Sequence, residues 1–307
     1  MAVAQDRLSP KARAIVTEFE RAPSLAALTP AQARGGPMPL AAAPEAVGSV
    51  TARAIPGPAG PLDVRIYRPR ESTRAALVYF HGGGWVLGSL EGADETCRAL
   101  ANRGHAVVIS IAYRLAPEAK FPGAVEDASA AVQWVADNAT DLRIDPTRIG
   151  VGGSSAGGNL AVAAALAARD SGGPKIAFQL LAVPVTELRS TARSMDEFAE
   201  GYGLSRADME WFGAHYVRSD ADRDDLRASV LRADLRGMPP ALVITAECDP
   251  LRDDGEAYAE RLRSLGIAAR YKRYPGMFHG FMGFPTALAE AADAFDEAGR
   301  ALREALA

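Results

Sequence analysis

The sequence predicts an α/β fold in which helices cover both faces of a mostly parallel β-sheet. Short, almost continuously apolar segments alternate with helix-like segments along most of the chain. Strands of parallel sheets are buried on both faces and therefore have this apolar character, and helices usually connect them. The length of 307 residues and the hydrophobic content of 48% are sufficient for one large core.

The chain begins with a predicted amphipathic helix over residues 1–20, in which Ile15, Val16 and Phe19 share one face. Residues 30–46 are rich in Pro, Ala and Gly and are predicted to form a loop or a loosely packed arm. The turn PGPAG joins the first two strands, which favours an antiparallel start of the sheet. The predicted strands cover residues 50–55, 62–68, 75–80, 106–113, 148–153, 176–185, 241–246 and 269–275. The other predicted helices cover residues 93–103, 158–170, 255–266 and 287–306.

Residues 187–236 interrupt this alternation of strands and helices. The segment is helical in character, has charged positions on its outside and contains the aromatic pair Trp211 and Phe212. Together with the N-terminal arm it is expected to form a lid over the sheet. The predicted division of the chain is an N-terminal cap segment (1–45), a first part of the core (46–186), a cap insertion (187–236) and a second part of the core (237–307).

Charge and cysteine content argue against several classes of protein. The formal net charge of −4 gives no basic surface for nucleic acid. Cys97 and Cys248 are the only cysteines, which argues against a disulfide framework and suits the reducing cytoplasm. The N-terminus carries early charges instead of the apolar region of a signal peptide, and no uncharged apolar run approaches the roughly 18 residues of a membrane span. We therefore expect a cytoplasmic protein with no membrane partner.

The segment RIGVGGSSAGGNL places two serines between glycines, where a predicted strand ends at Gly153 and a helix begins near Gly158. Gly153, Ser155 and Gly157 match the pattern G-x-S-x-G in the strand–turn–helix context that this motif requires. The turn is too sharp for side chains beside the serine, so the middle residue is strained, with its hydroxyl exposed near helix N–H groups that favour negative charge. The pattern predicts that Ser155, and not Ser154, is a nucleophile.

A serine hydroxyl needs a base, because it is a weak nucleophile at neutral pH. Of the four histidines, His279 lies in a glycine-broken loop after the last predicted strand, where enzymes with this turn place their base. His105 precedes an apolar strand and is predicted to be a surface loop residue. His215 is predicted to pack or cap within the helical insertion beside Trp211. His279 is therefore the predicted base.

An acid must orient the histidine and stabilise its protonated form. Asp249 follows the predicted strand ALVITA closely and projects from the edge of the sheet that carries Ser155. Glu247 is a close rival. Asp253 and Asp254 are predicted to begin the next helix, where their charge is favourable near the helix N-terminus. Asp249 is the predicted acid.

The stretch HGGGW follows the strand AALVYF and contains Gly82, Gly83 and Gly84. Three consecutive glycines lose much conformational freedom on folding, so they indicate a backbone that must approach another group closely. We predict that the N–H groups of Gly83, Gly84 and Ala156 form an oxyanion hole for a tetrahedral intermediate.

These motifs resemble those of the bacterial hormone-sensitive-lipase-like esterases, the family IV carboxylesterases of the α/β-hydrolase fold. The resemblance spans about two thirds of the chain, and the combination of motifs is specific. The segments that carry it are HGGGW (81–85), YRLAPE (113–118), FPGAVED (121–127), GGSSAGGNLA (152–161), DPLRDDG (249–255) and HGF (279–281).

The resemblance implies an eight-stranded sheet, a cap made of the N-terminal segment and the insertion, and the triad Ser155, Asp249 and His279. It also implies hydrolysis of short-to-medium-chain acyl esters without a cofactor, and a possible homodimer through the last strand and helix. One departure is Ser154, because the family usually has Asp or Thr before the nucleophile. In the YRLAPE motif, Tyr113 and Arg114 are expected to brace the nucleophile region, and Glu118 to pair with a neighbour.

Three other functions remain open at this stage. An amidase or peptidase would use the same triad, and a ligand receptor on this fold would lack the histidine that is present here. A metal enzyme is disfavoured, because no two histidines have ligand spacing on one helix. The substrate pocket is expected to include Trp85, Tyr202 and Phe212. Other cap residues that could face substrate are Met195, Phe198, Met209 and Trp211.

Overall fold

In the computed structural model, which describes residues 7–36 and 45–307, an eight-stranded β-sheet runs through the molecule. The strand order is β1-β2-β4-β3-β5-β6-β7-β8. This architecture confirms the predicted α/β fold and the expected number of strands. The strands are β1 (Ser49–Gly57), β2 (Gly60–Arg68), β3 (Ala76–Phe80), β4 (Val107–Ile111), β5 (Ile149–Ser154), β6 (Ile176–Ala182), β7 (Ala241–Cys248) and β8 (Ala269–Phe278).

The sheet starts antiparallel and continues parallel. Strand β2 runs antiparallel to both β1 and β4, and all pairs from β4 to β8 are parallel. The turn at Pro58 and Ala59 brings Gly57 opposite Gly60, as the sequence predicted for this hairpin. Because the strands from β4 to β8 share one direction, their carboxyl ends meet at one edge, where loops can assemble a site.

Helices pack on both faces of the sheet. The helices are α1 (Pro10–Phe19), α2 (Pro30–Arg34), α3 (Asp94–Gly104), α4 (Gly123–Asp137), α5 (Ala139–Leu142), α6 (Ala156–Asp170), α7 (Arg193–Glu197), α8 (Arg206–Tyr216), α9 (Arg252–Ser264) and α10 (Ala289–Ala305). In β3, Val78 and Phe80 belong to the core beneath α4, α6 and α9, whereas Leu77 and Tyr79 belong to the core beneath α1, α3 and α10. Every residue of β3 is buried, which explains its unbroken apolar sequence.

Helices α2, α4 and α5 were not predicted from the sequence. Helix α2 lies within residues 30–46, which were predicted to be a loop or arm. It forms because the side chain of Thr29 accepts from the N–H of Gln32, and the side chain of Gln32 accepts from the N–H of Thr29. Helix α4 was not predicted, and no side chain caps its N-terminus, so the usual start signal is absent. Residues 1–6 of the predicted first helix and residues 37–44 of the arm lie outside the described residues.

The insertion between β6 and β7 contains α7 and α8 and contacts the N-terminal segment. The side chain of Ser205 caps α8 by accepting from the N–H of Asp208. From the same helix, Trp211 Nε1 donates to the carbonyl oxygen of Leu28, at 3.3 Å. The two segments that were predicted to form a cap therefore touch each other. In the described ranges, none of the helices combines the length and the apolar character that crossing a membrane requires.

Candidate active site

Ser155 occupies a strained turn between β5 and α6. Its φ of 56° lies in the left-handed region, which is uncommon for a residue with a side chain. The flanking glycines leave no room for a Cβ. One built on Gly157 would lie 2.0 Å from the carbonyl oxygen of Phe80, and one on Gly153 would lie 2.3 Å from the backbone of Gly157. The strand ends at Ser154 and the helix begins at Ala156, so the turn is tighter than the sequence predicted.

Hydrogen bonds from three directions hold this turn. The N–H of Ser155 donates to the carbonyl oxygen of Ala182 at 2.9 Å, which ties the turn to β6. Its own carbonyl oxygen accepts from the N–H groups of Asn159 and Val185, both at 3.2 Å. A strained backbone of this kind costs about 1–3 kcal/mol and persists only where its surroundings fix it. Ser155 is fixed in this way, with 8% of its surface exposed.

Ser155, His279 and Asp249 form a hydrogen-bonded line at the carboxyl edge of the sheet. His279 Nε2 lies 3.0 Å from Ser155 Oγ, and His279 Nδ1 lies 2.8 Å from Asp249 Oδ2. Because a carboxylate only accepts hydrogen bonds, Nδ1 carries the proton and Nε2 is free to accept from the serine hydroxyl. Asp249 is fully buried, and its Oδ1 accepts from the N–H of Leu251 at 2.8 Å.

The rival acids have other partners. Glu247 accepts from the N–H of Gly276 at 2.8 Å, which ties the end of β7 to β8. Asp253 and Asp254 lie in the first turn of α9, as predicted, and Asp253 accepts from the N–H of Ser194 at 2.9 Å. Within the described residues, His279 contacts Asp249 and none of these three carboxylates.

Two other histidines lie where the sequence placed them. His215 is in α8, where its ring lies 4.3 Å from that of Trp211 and its Nδ1 is 2.8 Å from the Trp211 carbonyl oxygen. His105 ends α3 in the left-handed conformation and is half-buried. Neither residue lies in the line that joins Ser155 to Asp249.

The glycine loop after β3 lies against the nucleophile turn. A Cβ on Gly82 would lie 3.1 Å from the carbonyl oxygen of Ser154, and Gly83 and Gly84 have φ values of 116° and 58°, which favour glycine. Within the described part of the chain, the N–H groups of Gly83, Gly84 and Ala156 donate to no protein acceptor. Gly83 and Gly84 line the same cavity as Ser155, and Ala156 follows Ser155 in the chain, an arrangement compatible with the predicted oxyanion hole.

His81 and Tyr113 support this loop. Tyr113 donates its hydroxyl to the carbonyl oxygen of His81 at 2.8 Å, and the two rings stack at 4.3 Å. Burial lowers the pKa of His81 to about 4, so its ring is neutral near pH 7. Arg114 forms several hydrogen bonds with the fully buried Asp127, the shortest at 2.7 Å. Tyr113 thus braces the glycine loop beside the nucleophile turn, whereas Arg114 binds Asp127 in α4.

A cavity of about 500 Å³ opens onto Ser155 and His279. The residues that line it come from the glycine loop, the N-terminal segment and the insertion, including Trp85 and Phe212. The prediction that Tyr202 belongs to the pocket is wrong. Its neighbours Gly201 and Gly203 line the cavity among the described residues, but Tyr202 does not. The Tyr202 side chain instead packs edge-on against Phe198, with ring centroids 5.0 Å apart. The lining is Phe19, Glu20, Ala22, Pro23, Ser24, Leu25, Gly83, Gly84, Trp85, Ser155, Val185, Glu200, Gly201, Gly203, Leu204, Ser205, Asp208, Met209, Phe212 and His279.

Ser154 lines a second cavity, of about 300 Å³, on the other side of the glycine loop. Gly83 lines both cavities, and Gly280, the residue after His279, lines only the second. The two adjacent serines of the turn therefore line different cavities, and of the two only Ser155 lines the cavity that His279 also lines.

Arg34 is a residue that the sequence analysis missed. Its side chain forms two hydrogen bonds with Glu118, at 2.8 and 2.9 Å, and donates to the carbonyl oxygens of Val86 and Ala116. These bonds join the N-terminal segment to the chain that follows the glycine loop, and Arg34 is the neighbour that Glu118 was expected to have. The capping pattern of Thr29 and Gln32 was the signal for an ordered segment here.

The part of the chain that the structure describes shows no cluster for a metal ion and no reactive thiol at this site. Among the residues that the structure describes, no three side chains of His, Cys, Asp or Glu come together in an arrangement that could hold a metal ion. Cys97 and Cys248 are both buried and free, and burial raises the pKa of each thiol to about 12. Thiols with such pKa values are protonated and unreactive near pH 7.

Comparison with known proteins agrees with this geometry. Residues 77–283 match the model of a family with the alpha/beta hydrolase fold. The carboxylic ester hydrolase LipN of Mycobacterium tuberculosis is 44% identical over 241 residues, which are 76% of this chain and 64% of LipN, just under two thirds of its length. The carboxylesterase NlhH of the same organism is 42% identical over 251 residues, covering 80% of this chain and 79% of NlhH.

A solved structure covers nearly the whole chain. The hyperthermophilic esterase of the archaeon Pyrobaculum calidifontis superposes with a TM-score of 0.92 at 41% identity, covering 98% of this chain and 99% of that one. The family match, these relatives and the strand–turn–helix arrangement around Ser155 lead to one conclusion. The chain belongs to the hormone-sensitive-lipase-like carboxylesterases of the alpha/beta hydrolase fold.

Proposed function

We propose that the chain hydrolyses short-to-medium-chain acyl esters through an acyl-enzyme formed on Ser155. The observation that carries this proposal is the hydrogen-bonded line from Ser155 Oγ through His279 to the buried Asp249. Such a line supplies a nucleophile, a base and a group that orients the base, which are the requirements of covalent catalysis by serine.

In the first half of the reaction, Ser155 Oγ attacks the carbonyl carbon of the ester while His279 Nε2 takes the hydroxyl proton. Asp249 stabilises the positive charge that develops on the imidazole. The tetrahedral intermediate collapses, its bond to the alcohol oxygen breaks, and the proton on Nε2 passes to the departing alcohol. The acyl group remains esterified to Ser155.

In the second half, a water molecule attacks the acyl carbon and gives its proton to His279 Nε2. Collapse of the second intermediate breaks the bond to Ser155, and His279 returns the proton to Oγ. The products are the carboxylic acid and the free enzyme. Each cycle therefore consumes one ester and one water, and no cofactor takes part in either step.

The backbone donors act on charge that exists only in the two intermediates. In this proposal the N–H groups of Gly83, Gly84 and Ala156 bind the oxygen that becomes negative after each attack. Donors that are held in place before the reaction need no reorganisation, and losing one typically lowers the rate about 10²–10³-fold. The geometry that supports this role is the glycine loop, whose unbonded N–H groups lie beside the nucleophile turn.

The proposed substrate range follows from the cavity and its cover. Its volume of about 500 Å³ is within the range of roughly 300–1,000 Å³ found for small-molecule sites. Trp85 and Phe212 are the proposed apolar contacts for substrate, and residues of the N-terminal segment and the insertion form the cover. A covered pocket of this size favours small dissolved esters over emulsified long-chain fats. We propose accordingly that residues 1–45 and 187–236 act as the cap, and 46–186 and 237–307 as the core.

We also propose a homodimer and a cytoplasmic location. Strand β8 is an edge strand, so its outer side can pair with the same strand of a second copy, with α10 beside it. The proposed location rests on the two cysteines, which are free. A molecular mass in solution that corresponds to one chain at micromolar concentration would refute the dimer.

The test is hydrolysis of p-nitrophenyl esters, from acetate to palmitate, by the wild type, Ser155→Ala and Ser154→Ala. We expect Ser155→Ala to fold and to lose at least about 10³-fold in kcat, as serine hydrolases do without their nucleophile. Ser154→Ala is the matched control, because it removes a hydroxyl one residue away, and it should keep most of the activity. Rates should be highest for the short and medium chains.

Other results would favour another function. Full activity of Ser155→Ala would exclude Ser155 as the nucleophile. If the wild type cleaves p-nitroanilides faster than the matching esters, the amidase interpretation gains. High activity on triolein with little on butyrate esters would refute the proposed substrate range.

A further inference from the structure

The edge of the sheet opposite Ser155 has a wide cleft of about 1020 Å³ that is lined by arginines. Strand β3 begins at this edge two residues after Arg74, β5 begins here directly after Arg148, and the antiparallel β2 ends here at Arg68. The topology of the sheet therefore brings together cationic side chains from distant parts of the sequence. The arginines that line the cleft are Arg68, Arg70, Arg74, Arg143 and Arg148, and His105 lies beside them.

The arginines of this cleft lack the carboxylate partners that most arginines of the protein have. Within the described residues, none of the five has a carboxylate oxygen within 4.0 Å, whereas Arg114, for example, lies 2.7 Å from Asp127. Two acidic residues line the cleft. Glu71 is 4.0 Å from His105 with its side chain 88% exposed, and Asp141 is also exposed. Positive charges therefore outnumber negative ones along the lining.

One further carboxylate lies close to this lining. The pKa of Asp145 is lowered mainly by hydrogen bonds from the side chain and the N–H of Thr147, and to a smaller extent by the charges of Arg74 and Arg148. Asp145 Oδ1 accepts both of these bonds, at 2.7 and 2.9 Å. Asp145 therefore offsets part of the positive charge but forms no ion pair with either arginine.

Two of the guanidinium groups are held in place by backbone carbonyls. Arg68 Nη2 donates to the carbonyl oxygen of Leu142 at 2.8 Å, and Arg148 Nε donates to that of Leu306 at 2.5 Å. Each keeps other N–H donors for a ligand. Burial, and then the charge of Arg143, lower the pKa of Arg68. The like charges are therefore close enough to repel each other, and an anion between them would remove this repulsion.

We propose that this cleft binds a small, multiply charged anion of the polyphosphate class. Guanidinium groups form paired hydrogen bonds with phosphate oxygens, and several around one cleft favour a ligand with more than one charged group. The cleft lies at the other edge of the sheet from Ser155, so the ligand is neither substrate nor product of ester hydrolysis. The proposal is independent of the function proposed for Ser155.

The test is calorimetric titration of the full chain with inorganic triphosphate, at low and at moderate salt. The wild type should bind one triphosphate with an affinity that falls as salt is added, because exposed charges are screened. Arg68→Gln/Arg143→Gln should weaken binding by at least about ten-fold, or roughly 1.4 kcal/mol. The exposed pair Arg70→Gln/Arg74→Gln should also weaken binding, and it tests the proposal if the first variant fails to fold.

Arg263→Gln is the matched control. It removes a positive charge in α9, outside the cleft, from a side chain whose Nε donates to the carbonyl oxygen of Ala269. This variant should bind triphosphate like the wild type, and all variants should hydrolyse p-nitrophenyl butyrate at the wild-type rate. If ATP binds with the same affinity as triphosphate, the cleft recognises the phosphate chain alone. If ATP binds more tightly than triphosphate, the cleft also contacts the nucleoside.

Three results would overturn the proposal. The first is the absence of binding by the wild type at millimolar triphosphate. The second is unchanged binding by the folded double variants. The third is an equal loss of affinity in Arg263→Gln, which would show that only the total charge of the protein matters.

Discussion

The turn that carries Ser155 and the proposed cap beside it are held in different ways. In the turn, close backbone packing permits only glycine at position 157, because a Cβ on Gly157 would overlap the carbonyl oxygen of Phe80. In the cap, long polar side chains reach across gaps, as Arg34 does to Glu118 and to the carbonyl oxygen of Val86. The first kind of contact fails with one added methyl group, whereas the second can be lost one bond at a time.

This difference indicates that the two regions have different roles, the turn in the proposed reaction and the proposed cap in substrate binding. The proposed reaction needs its nucleophile, base and oxyanion donors within a fraction of an ångström of their places, and the nucleophile lies on tightly packed backbone. In the proposed function, substrate choice depends on the shape of the cavity wall, to which the N-terminal segment and the insertion contribute residues. Substitution of Ser155 or of its flanking glycines should therefore abolish folding or activity, and mutations in the proposed cap should change KM more than stability.

Gly157→Ala should have the largest effect. Its Cβ would lie 2.0 Å from the carbonyl oxygen of Phe80 and 2.5 Å from that of His81, so β3 and α6 would have to separate. We expect a loss of more than about 4 kcal/mol in the free energy of unfolding, which is exceptional for one substitution. Gly283→Ala is the control, because nothing lies within 4 Å of its added Cβ. Urea denaturation measures both, and equal stabilities would contradict this view of the turn.

Asp254, at the junction of core and cap, should make stability depend on pH. Ser190 of the insertion donates to its Oδ1 at 2.7 Å, and Oδ2 has no partner among the described residues. Burial raises the pKa of Asp254 to about 7. The folded protein therefore keeps a proton on Asp254 up to about pH 7, whereas the unfolded chain releases it near pH 4. Between these two pH values the free energy of unfolding falls as the pH rises.

Asp254→Asn keeps a neutral side chain and removes this dependence. Relative to the wild type, the variant should gain on the order of 2–4 kcal/mol in the free energy of unfolding between pH 4 and 8, because each pKa unit corresponds to about 1.4 kcal/mol. Asp253→Asn is the control. Burial raises the pKa of Asp253, but its hydrogen bonds with Arg252 and Ser194 lower it by a larger amount, so the net shift is downward. Because the pKa of Asp253 is lowered, its contribution to stability changes only below the unfolded value near pH 4, so this variant and the wild type should show the same pH dependence between pH 4 and 8. Denaturation curves across this pH range that stay parallel for Asp254→Asn and the wild type would exclude the effect.

Gly84 is where the catalytic loop meets the cap. A Cβ there would lie 2.1 Å from the ring of Phe212, and its φ of 58° also disfavours a side chain. We expect Gly84→Ala to lose about 1–3 kcal/mol of stability, as overpacking does, together with most of the esterase activity. Adding Phe212→Ala should restore part of the stability but not the activity. If the stability losses of Gly84→Ala and Phe212→Ala are additive in the double variant, the added methyl group does not clash with Phe212.

Arg34→Gln should have the smallest effect on folding and a clear effect on substrate binding. Its partner Glu118 is largely exposed, so losing the ion pair should cost at most about 1 kcal/mol. Because Arg34 also holds the chain after the glycine loop, KM for p-nitrophenyl butyrate should rise several-fold with kcat little changed. Glu118→Gln keeps the bonds from Arg34 to Val86 and Ala116 and should change KM less. A fall in kcat with constant KM would assign Arg34 to the core instead.

Sequence reasoning succeeded where the local pattern and the structure have the same cause. The glycines around Ser155 are required by the turn they form, so G-x-S-x-G predicted the turn, and chain order then led to Asp249 and His279. The strands were predictable because burial on both faces makes them apolar throughout, as in β3.

The cap was less predictable because contacts distant in sequence decide it. Tyr202 and Phe212 are both aromatic residues of the insertion, yet only Phe212 lines the cavity, since Tyr202 turns towards Phe198. Arg34 lies in a stretch whose composition suggests a loop, and its partners are 52 and 84 residues away. No periodicity in the sequence encodes such pairings.

The central claim is that the turn exists to present Ser155 as the nucleophile. It is tested most directly by reacting the enzyme with a p-nitrophenyl alkylphosphonate and locating the adduct by peptide mass spectrometry. The account predicts one phosphonyl group per chain, bonded to Ser155, with loss of esterase activity in proportion to labelling and no label on Ser155→Ala. An adduct on Ser154, or stoichiometric labelling of Ser155→Ala, would contradict it.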